Sequence, residues 1–376
     1  MYDAVVVGLG GMGSAALAHL ASRGRRVLGL EQFARAHDRG SSAGESRIIR
    51  MAYYEDPAYV PLLRRAYALW VELERASRTR LLDRCGVLMV GGSQSTVLAG
   101  AARSAQLHAI ALEELSQNEI LRRYPQLRLR PDERALFEPD AGIVFPEAAI
   151  EAHLRVALEA GAEVRFQTPV RRYAARDTAV VAELADGTTI ATHRLAICAG
   201  PWLSAVAPDL GLPLRVQRNV QVWFRPRTNV YDNGRFPAFF VDRADAPAAL
   251  YGFPDGGRGV KAALHGWGET TSPERLDRTV HDADVAAVRA ALDAFAPGAA
   301  DSVAAGKVCM YTRTPDDHFV VDRHPADARI VVAGGFSGHG YKFCPVIGEI
   351  VADLALEGAT RHPIGFLGLQ RLTAPR

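Results

Sequence analysis

Lysine is scarce in this chain. Of 44 basic side chains, only Lys261, Lys307 and Lys342 are lysines and the rest are arginines, so each lysine is a more informative candidate than usual. Cysteine is scarce too. Cys85, Cys198, Cys309 and Cys344 lie far apart, with no C-x-x-C pair and no metal-type spacing; a disulfide framework and a structural zinc site are excluded, and a reducing compartment fits. No apolar run is long enough to span a bilayer. The apolar start lacks a basic stretch and is broken by Gly8, Gly10, Gly11 and Gly13, unlike a secretory signal, and Thr373-Ala374-Pro375-Arg376 is not a peroxisomal address. A cytoplasmic protein without a membrane partner is expected. Excess charge of one sign is also missing: the formal net charge is +2 over 376 residues, which gives no general attraction to nucleic acid or anionic lipid. With 48% hydrophobic and 23% charged residues, the length suits two domains sharing an interface.

What is present is concentrated first at the start. Tyr2-Asp3-Ala4-Val5-Val6-Val7 reads as a buried strand, Gly8-x-Gly10-x-x-Gly13 as a tight turn, and Ser14 to Leu20 as a helix. The glycines allow a pyrophosphate to approach the backbone, and the helix start offers its unpaired N–H groups to the phosphates. Arg26 to Glu31 reads as a second strand ending in an acid, eighteen positions after Gly13, where Glu31 can accept from ribose hydroxyls. Gln32 and Phe33 follow instead of an Arg suited to a 2′-phosphate, so FAD or NAD is favoured over NADP.

Downstream, a polar glycine-bearing loop from Arg35 to Glu45 leads into Arg47-Ile48-Ile49-Arg50, whose two arginines share a side if this is a helical turn. Residues 59–77 repeat apolar side chains at helical spacing. From Cys85 to Pro139 short strands and helices read as an excursion into a second domain. A helix at 148–161, strands near Val164 and Val170, a hairpin turning at Ala185-Asp186-Gly187, and a buried strand ending at Gly200-Pro201-Trp202 return to the first. Strand-like alternation resumes from about Leu214 to Lys307, with one helix at 282–295. A last strand then runs into Gly334-Gly335-Phe336-Ser337-Gly338-His339-Gly340 and a helix from Cys344. Two segments therefore end as strand, glycine loop and helix start, and are expected to meet one ligand at its two ends. The second aims a helix start at a ring that gains negative charge on reduction, which favours FAD over NAD.

At this point the chain resembles the monomeric sarcosine oxidases and N-methyltryptophan oxidases, flavin amine oxidases of the D-amino-acid-oxidase structural class. The resemblance covers nearly the whole chain and rests most on Gly40 to Tyr53, Tyr251-Gly252-Phe253-Pro254, Val308-Cys309-Met310-Tyr311-Thr312 and Gly335 to Phe343. It implies an α/β fold: a Rossmann-type FAD-binding domain (1–85, 145–213 and 308–376) and a second α+β substrate domain on a mixed or antiparallel sheet (86–144 and 214–307), of the glutathione-reductase-2-like type. It implies a monomer acting on an amino-acid substrate and O2. It further implies FAD held through a thioether from Cys309, with Gly8, Gly10, Gly13, Glu31, Ser41, Ser42, Arg47, Val170, Gly200, Trp202, Gly335, Gly338, Gly340 and Lys342 around the cofactor. Lys261 resembles the family's oxygen-activating lysine. On a strand from Val260, Lys261, Ala263 and His265 share a face, so His265 is expected beside it. Arg50 and Lys342 are expected to bind the substrate carboxylate, with Tyr251, Tyr311 and Arg47 lining the same cavity.

The expected activity is oxidation of a secondary amino acid, N-methyl or cyclic, to an imine and hydrogen peroxide. Alternatives are another electron acceptor, another amino acid, or a nucleotide-binding protein without turnover. One position departs from the family: Ala43 stands where His is common, while Glu45 fills the usual acidic position. Extra room for substrates larger than sarcosine is the expectation from that exchange. The segment from Tyr251 to Lys261 is also one residue shorter than the sarcosine oxidase pattern.

Overall fold

A computed structural model describes residues 1–373; the end of the C-terminal tetrapeptide considered above lies outside them. The β-branched start forms the strand Tyr2–Val7, buried from Ala4 onward. It lies inside an eight-stranded sheet, parallel to Val27–Leu30 on one side and to Thr189–Ile197 on the other. Asp327–Gly334 pairs parallel to the end of Thr189–Ile197. The hairpin expected to turn at Ala185-Asp186-Gly187 pairs Val180–Leu184 antiparallel with Thr189–Ile197, and Val170–Ala175 extends it on the outer side.

The helix Gly11–Ser22 packs against Pro146–Glu159 and Cys344–Glu357. Gly13 is required at its start, because a Cβ there would sit 1.7 Å from the Gly8 carbonyl oxygen. Gly8 itself has φ +86°, a conformation that side chains disfavour. The amphipathic segment at 59–77 is the helix Val60–Ser77, which buries Leu62, Leu63, Leu69, Trp70 and Leu73. The helix expected at 148–161 begins earlier, with Pro146 in its first turn, where a missing N–H costs nothing.

A second, nine-stranded sheet is built mostly of antiparallel pairs. Its strand Arg215–Arg225 pairs with Ser302–Arg313 on one edge and with Val260–Leu264 on the other. Leu250–Phe253, Ala238–Asp242 and Val87–Gly91 continue the sheet. Alternation divides its two faces. Val222, Phe224, Phe239, Val260 and Ala262 pack under the helix Asp282–Phe295 through Val288, Leu292 and Phe295. The opposite face carries Gln221, Phe240, Tyr251, Ala263, Cys309 and Tyr311, as the register requires. The strand bearing Cys309 is unbroken from Ser302 to Arg313, so residues 308–313 belong to this sheet, past the expected return to the first domain at 308. Pairing along the whole of Arg215–Arg225 carries the strand on through Cys309.

A small three-stranded sheet, Arg47–Ile49, Gly142–Val144 and Leu82–Asp83, joins the two. Among the described residues no helix is long and apolar enough to cross a membrane.

Candidate active site

One continuous cavity runs from the N-terminal glycine turn to the face of the second sheet. At its first end lie Gly8, Gly10 and Gly11, the helix start after Gly10, and Glu31. The Glu31 carboxylate accepts from the Leu9 amide (2.8 Å) and the Phe33 amide (3.0 Å) and pairs with His37 (3.3 Å). Burial raises the pKa of this carboxyl, but His37 and the Leu9 amide outweigh burial and hold it below its usual range. Val170, Gly200 and Trp202 flank this end, and Ser41, Ser42, Gly335, Gly338 and Gly340 line the middle. Ser42 Oγ accepts from the Gly11 amide at 3.1 Å. Thr312 Oγ1, on a wall residue, is buried without a hydrogen-bond partner.

Arg47 fixes the small-residue loop by donating to the carbonyls of Ser46 (2.8 Å), Ser41 (2.9 Å) and Ala43 (2.6 Å). Arg47 and Arg50 do not share a helical turn. Arg47 opens a three-residue strand and Arg50 follows its end, where Glu138 takes the next two amides, Met51 (2.6 Å) and Ala52 (2.9 Å), and turns the chain. Both arginines still line the cavity.

At the far end Arg50 is buried. Its Nη2 meets both oxygens of Glu55 at 2.8 and 2.7 Å, Nη1 donates to the Ala52 carbonyl at 2.8 Å, and the guanidinium stacks over Tyr53 and Tyr54. Burial alone would neutralise Glu55, but Arg50, His339 and Lys342 bring its pKa down to about 2. Lys342 Nζ donates to the His339 carbonyl (2.7 Å) and to no other described residue. Burial first, then the Arg50 charge, lowers its pKa to about 7, against a smaller opposing pull from Glu55. Rings enclose the rest: Tyr54 to Phe240 (5.5 Å), Phe240 to His265 (5.8 Å), and His265 to Tyr311 (5.5 Å) and Tyr251 (6.2 Å). The Tyr311 hydroxyl lies 3.3 Å from His265 Nδ1. Burial takes His265 to about 4 and His339 to about 4, so both stay neutral near pH 7.

Three expected residues sit behind the walls instead of on them: Gly13, Lys261 and Cys309. Lys261 is 2% exposed and its three N–H groups are all used, on the Gly44 carbonyl (2.6 Å), the Ser46 carbonyl (2.9 Å) and Ser46 Oγ (3.1 Å). Burial, with Arg47 next, lowers its pKa well below the usual lysine value. Cys309 Sγ receives Gln221 Nε2 at 3.4 Å, and Gln221 does line the cavity. Ala43 is buried and does not line the cavity, so the room expected from its small side chain is not at the substrate end. Tyr54 and Phe240 bound that end. Sequence reasoning missed Tyr54, Glu55, Phe240 and Gln221. Only Glu55, a carboxylate five positions after a candidate arginine, offered a signal.

The residues present fit a flavin dinucleotide. A Cβ at Gly11 would meet Cys344 Sγ at 2.6 Å and one at Gly338 would meet Tyr311 at 2.3 Å, so close packing keeps the cavity wall to bare backbone at both glycine turns. The unpartnered Thr312 hydroxyl awaits a donor or acceptor along the same wall. Fold and cavity together define a dinucleotide-binding α/β protein whose second sheet closes the far end of the cavity. More narrowly, residues 3–354 match the family model for FAD dependent oxidoreductases, and the chain belongs to that family. It is 46% identical to a monomeric sarcosine oxidase of Streptomyces avermitilis, over 99% of this chain and 98% of that protein. It is 36% identical to an N-methyl-L-tryptophan oxidase of Salmonella arizonae, over 95% of each. Among solved structures, NikD, an amino acid oxidase of nikkomycin biosynthesis, superposes with a TM-score of 0.87 at 24% identity, covering 98% of this chain and 97% of that one. The α/β flavoprotein fold and the family expected from the resemblance are borne out.

Proposed function

We propose that this protein is an FAD-dependent oxidase of secondary amino acids, N-methyl or cyclic, and that it works as a monomer. One observation carries the substrate class. The far end of the cavity holds two buried cations, Arg50 and Lys342, against one carboxylate, Glu55, and Lys342 keeps N–H groups to spare. A substrate carboxylate supplies the missing negative charge, whereas a simple amine leaves the charge unbalanced. Relatives named for sarcosine and N-methyltryptophan support the amine next to that carboxylate.

Bound FAD supplies the two-electron acceptor, and the electrons pass on to dioxygen as hydrogen peroxide. The chain does the rest. Arg50 and Lys342 hold the carboxylate, and the ring belt of Tyr54, Phe240, His265, Tyr251 and Tyr311 excludes water around the carbon that loses hydride. The reactive amine must be neutral. Its surroundings favour that form, because Arg47, Arg50 and Lys342 repel an ammonium and no carboxylate other than Glu55 lines this end. The imine product hydrolyses in water to an aldehyde and an amine when the substrate is N-methylated. Cys309 attaches the flavin covalently, and Lys261 acts on oxygen reduction through its charge from behind the Gly44–Ser46 backbone.

The commitment of all three Lys261 N–H groups favours a second reading of the same site, with electrons delivered to an acceptor other than oxygen. A panel of sarcosine, other N-methyl amino acids, proline, pipecolate and their decarboxylated analogues tests both. Peroxide formed one-for-one with substrate consumed supports the oxidase; turnover only with an added dye supports the second reading. Equal rates for acids and their decarboxylated analogues remove the carboxylate clamp.

A further inference from the structure

Among buried side chains on the cavity wall, Gln221 is out of place. It is 1% exposed, on a strand whose other face sends Val220, Val222 and Phe224 into the core, and its Oε1 has no hydrogen-bond partner. A buried amide with an unmade hydrogen bond costs stability and calls for a role. Its Nε2 donates to Cys309 Sγ at 3.4 Å. Register explains the meeting: Gln221 lies two positions from Asn219, which is directly opposite Cys309, so the two side chains share a sheet face and lie diagonally adjacent. Cys309 does not line the cavity and Gln221 does. The amide is therefore the contact between the sulfur and the space where the cofactor lies.

We infer that Gln221 is a positioning residue for flavin attachment: its Nε2–H holds the Cys309 sulfur toward the cavity and stabilises the thiolate that forms the bond. This rests on the covalent reading proposed above. In the attachment step the S–H proton leaves, the sulfur electron pair forms the S–C bond to the 8α carbon, and that carbon gives up one hydrogen as a proton. The two electrons released stay on the flavin ring, which takes up two protons; dioxygen then removes both electrons and protons as hydrogen peroxide. The demand on the protein is to make a thiolate inside an apolar wall, where burial raises the thiol pKa. Arg47, Lys261 and Lys307 oppose that rise by charge and Gln221 by hydrogen bonding, while the Tyr251 and Tyr311 phenols stay protonated on the same wall. Of these groups Gln221 is the one that hydrogen-bonds the sulfur.

The test loads full-length protein, purified without flavin, with FAD and follows the flavin that survives acid precipitation, from pH 6 to pH 10. Q221M, which keeps length but not the donor, is expected to bind FAD and attach it roughly tenfold to a hundredfold more slowly, the span of a lost hydrogen bond to a charged group. Its rate is expected to reach half-maximum at higher pH than the wild type. A structural role alone would leave that midpoint in place. Should Q221M fail to bind FAD, Q221E keeps the side-chain shape, replaces the donor by an acceptor, and is expected to be slower than the wild type with the midpoint shifted the same way. Wild-type rate and midpoint in either FAD-binding variant overturn the role of Gln221 alone. Wild-type protein that binds FAD but loses it all in acid overturns the covalent reading together with this inference.

Discussion

Lys342 should make ligand binding depend on pH in a way that Arg50 cannot. Its pKa near 7, against 10.5 for an ordinary lysine, means that an ammonium ready for a carboxylate exists below neutrality and is lost above it. At pH 8 only about a tenth of the molecules carry the charge, and each further unit removes about another factor of ten. A carboxylate ligand must then pull a proton back on, so its Kd should rise about tenfold per pH unit above 7 until the pKa of the complex is reached. No other described residue named at this end titrates in that window: Glu55 lies near 2, His265 and His339 near 4, and Arg50 stays charged. The assay needs a ligand without a titrating nitrogen. A carboxylic acid with a thioether in place of the amine serves, followed by its perturbation of the flavin absorption between pH 6 and 9. Lys342→Met should bind it about tenfold to a hundredfold more weakly at pH 6, the worth of a charge-assisted hydrogen bond, and show no slope. A wild-type Kd that is flat from pH 6 to 9 refutes the reasoning. The same depressed pKa has a stability consequence. Between about 7 and the ordinary lysine value the unfolded chain binds more protons, so this group adds stability as pH rises through that window, and Lys342→Met should raise the Tm of ligand-free protein at pH 7 by several degrees.

Further outcomes are expected at three positions. Cys309→Ala should release its flavin into the supernatant on acid precipitation, whereas the unmutated protein should stay yellow in the pellet; yellow supernatant from fully loaded wild type removes the thioether. Lys261→Met should slow reaction of the reduced enzyme with oxygen by about a hundredfold, the effect of one fixed charge worth roughly 3 kcal/mol, with flavin reduction by substrate little changed; equal reoxidation in stopped flow takes Lys261 out of oxygen chemistry. Glu55→Gln removes the partner of a buried guanidinium, so the Tm should fall, with a stability loss of about 3 kcal/mol, yet carboxylate ligands should bind more tightly because the Arg50 fork is freed; weaker binding would mean that Glu55 contacts the ligand favourably.

The glycine turn, the strand before it and the acid after the second strand were legible because local rules fix them: each needs a specific residue type at a fixed offset, and Gly8, Gly13 and Glu31 stand where the backbone requires them. The helix Val60–Ser77 was legible from period alone. Long-range pairing was not. Nothing near Cys309 announces that its strand continues to Arg313 along Arg215–Arg225, and nothing near Gln221 announces a sulfur. Tyr54 and Phe240 read as ordinary apolar residues of their segments, and only the meeting of a loop with a strand nearly two hundred positions away makes them one wall. The Ala43 expectation failed for the same reason. A small side chain widens a cavity only if it faces one, and the carbonyl of Ala43, not its methyl, is what Arg47 uses.

The two site lysines show how far residue type can go before geometry decides. In a chain so poor in lysine both stood out equally, and both are buried and pulled below the ordinary pKa for the same first reason, loss of water. What separates them is how their protons are spent. Lys261 has three acceptors for three N–H groups, so its charge is internally satisfied and a ligand gains nothing by contact; any effect must be a field across the Gly44–Ser46 backbone. Lys342 has one acceptor and lines the cavity, so its remaining donors are unmade bonds waiting for an anion. The under-satisfied lysine is therefore the one we propose for substrate recognition. For the satisfied one we propose a role in electron delivery, because its three acceptors hold the ammonium in place against the loss of water with no help from a ligand.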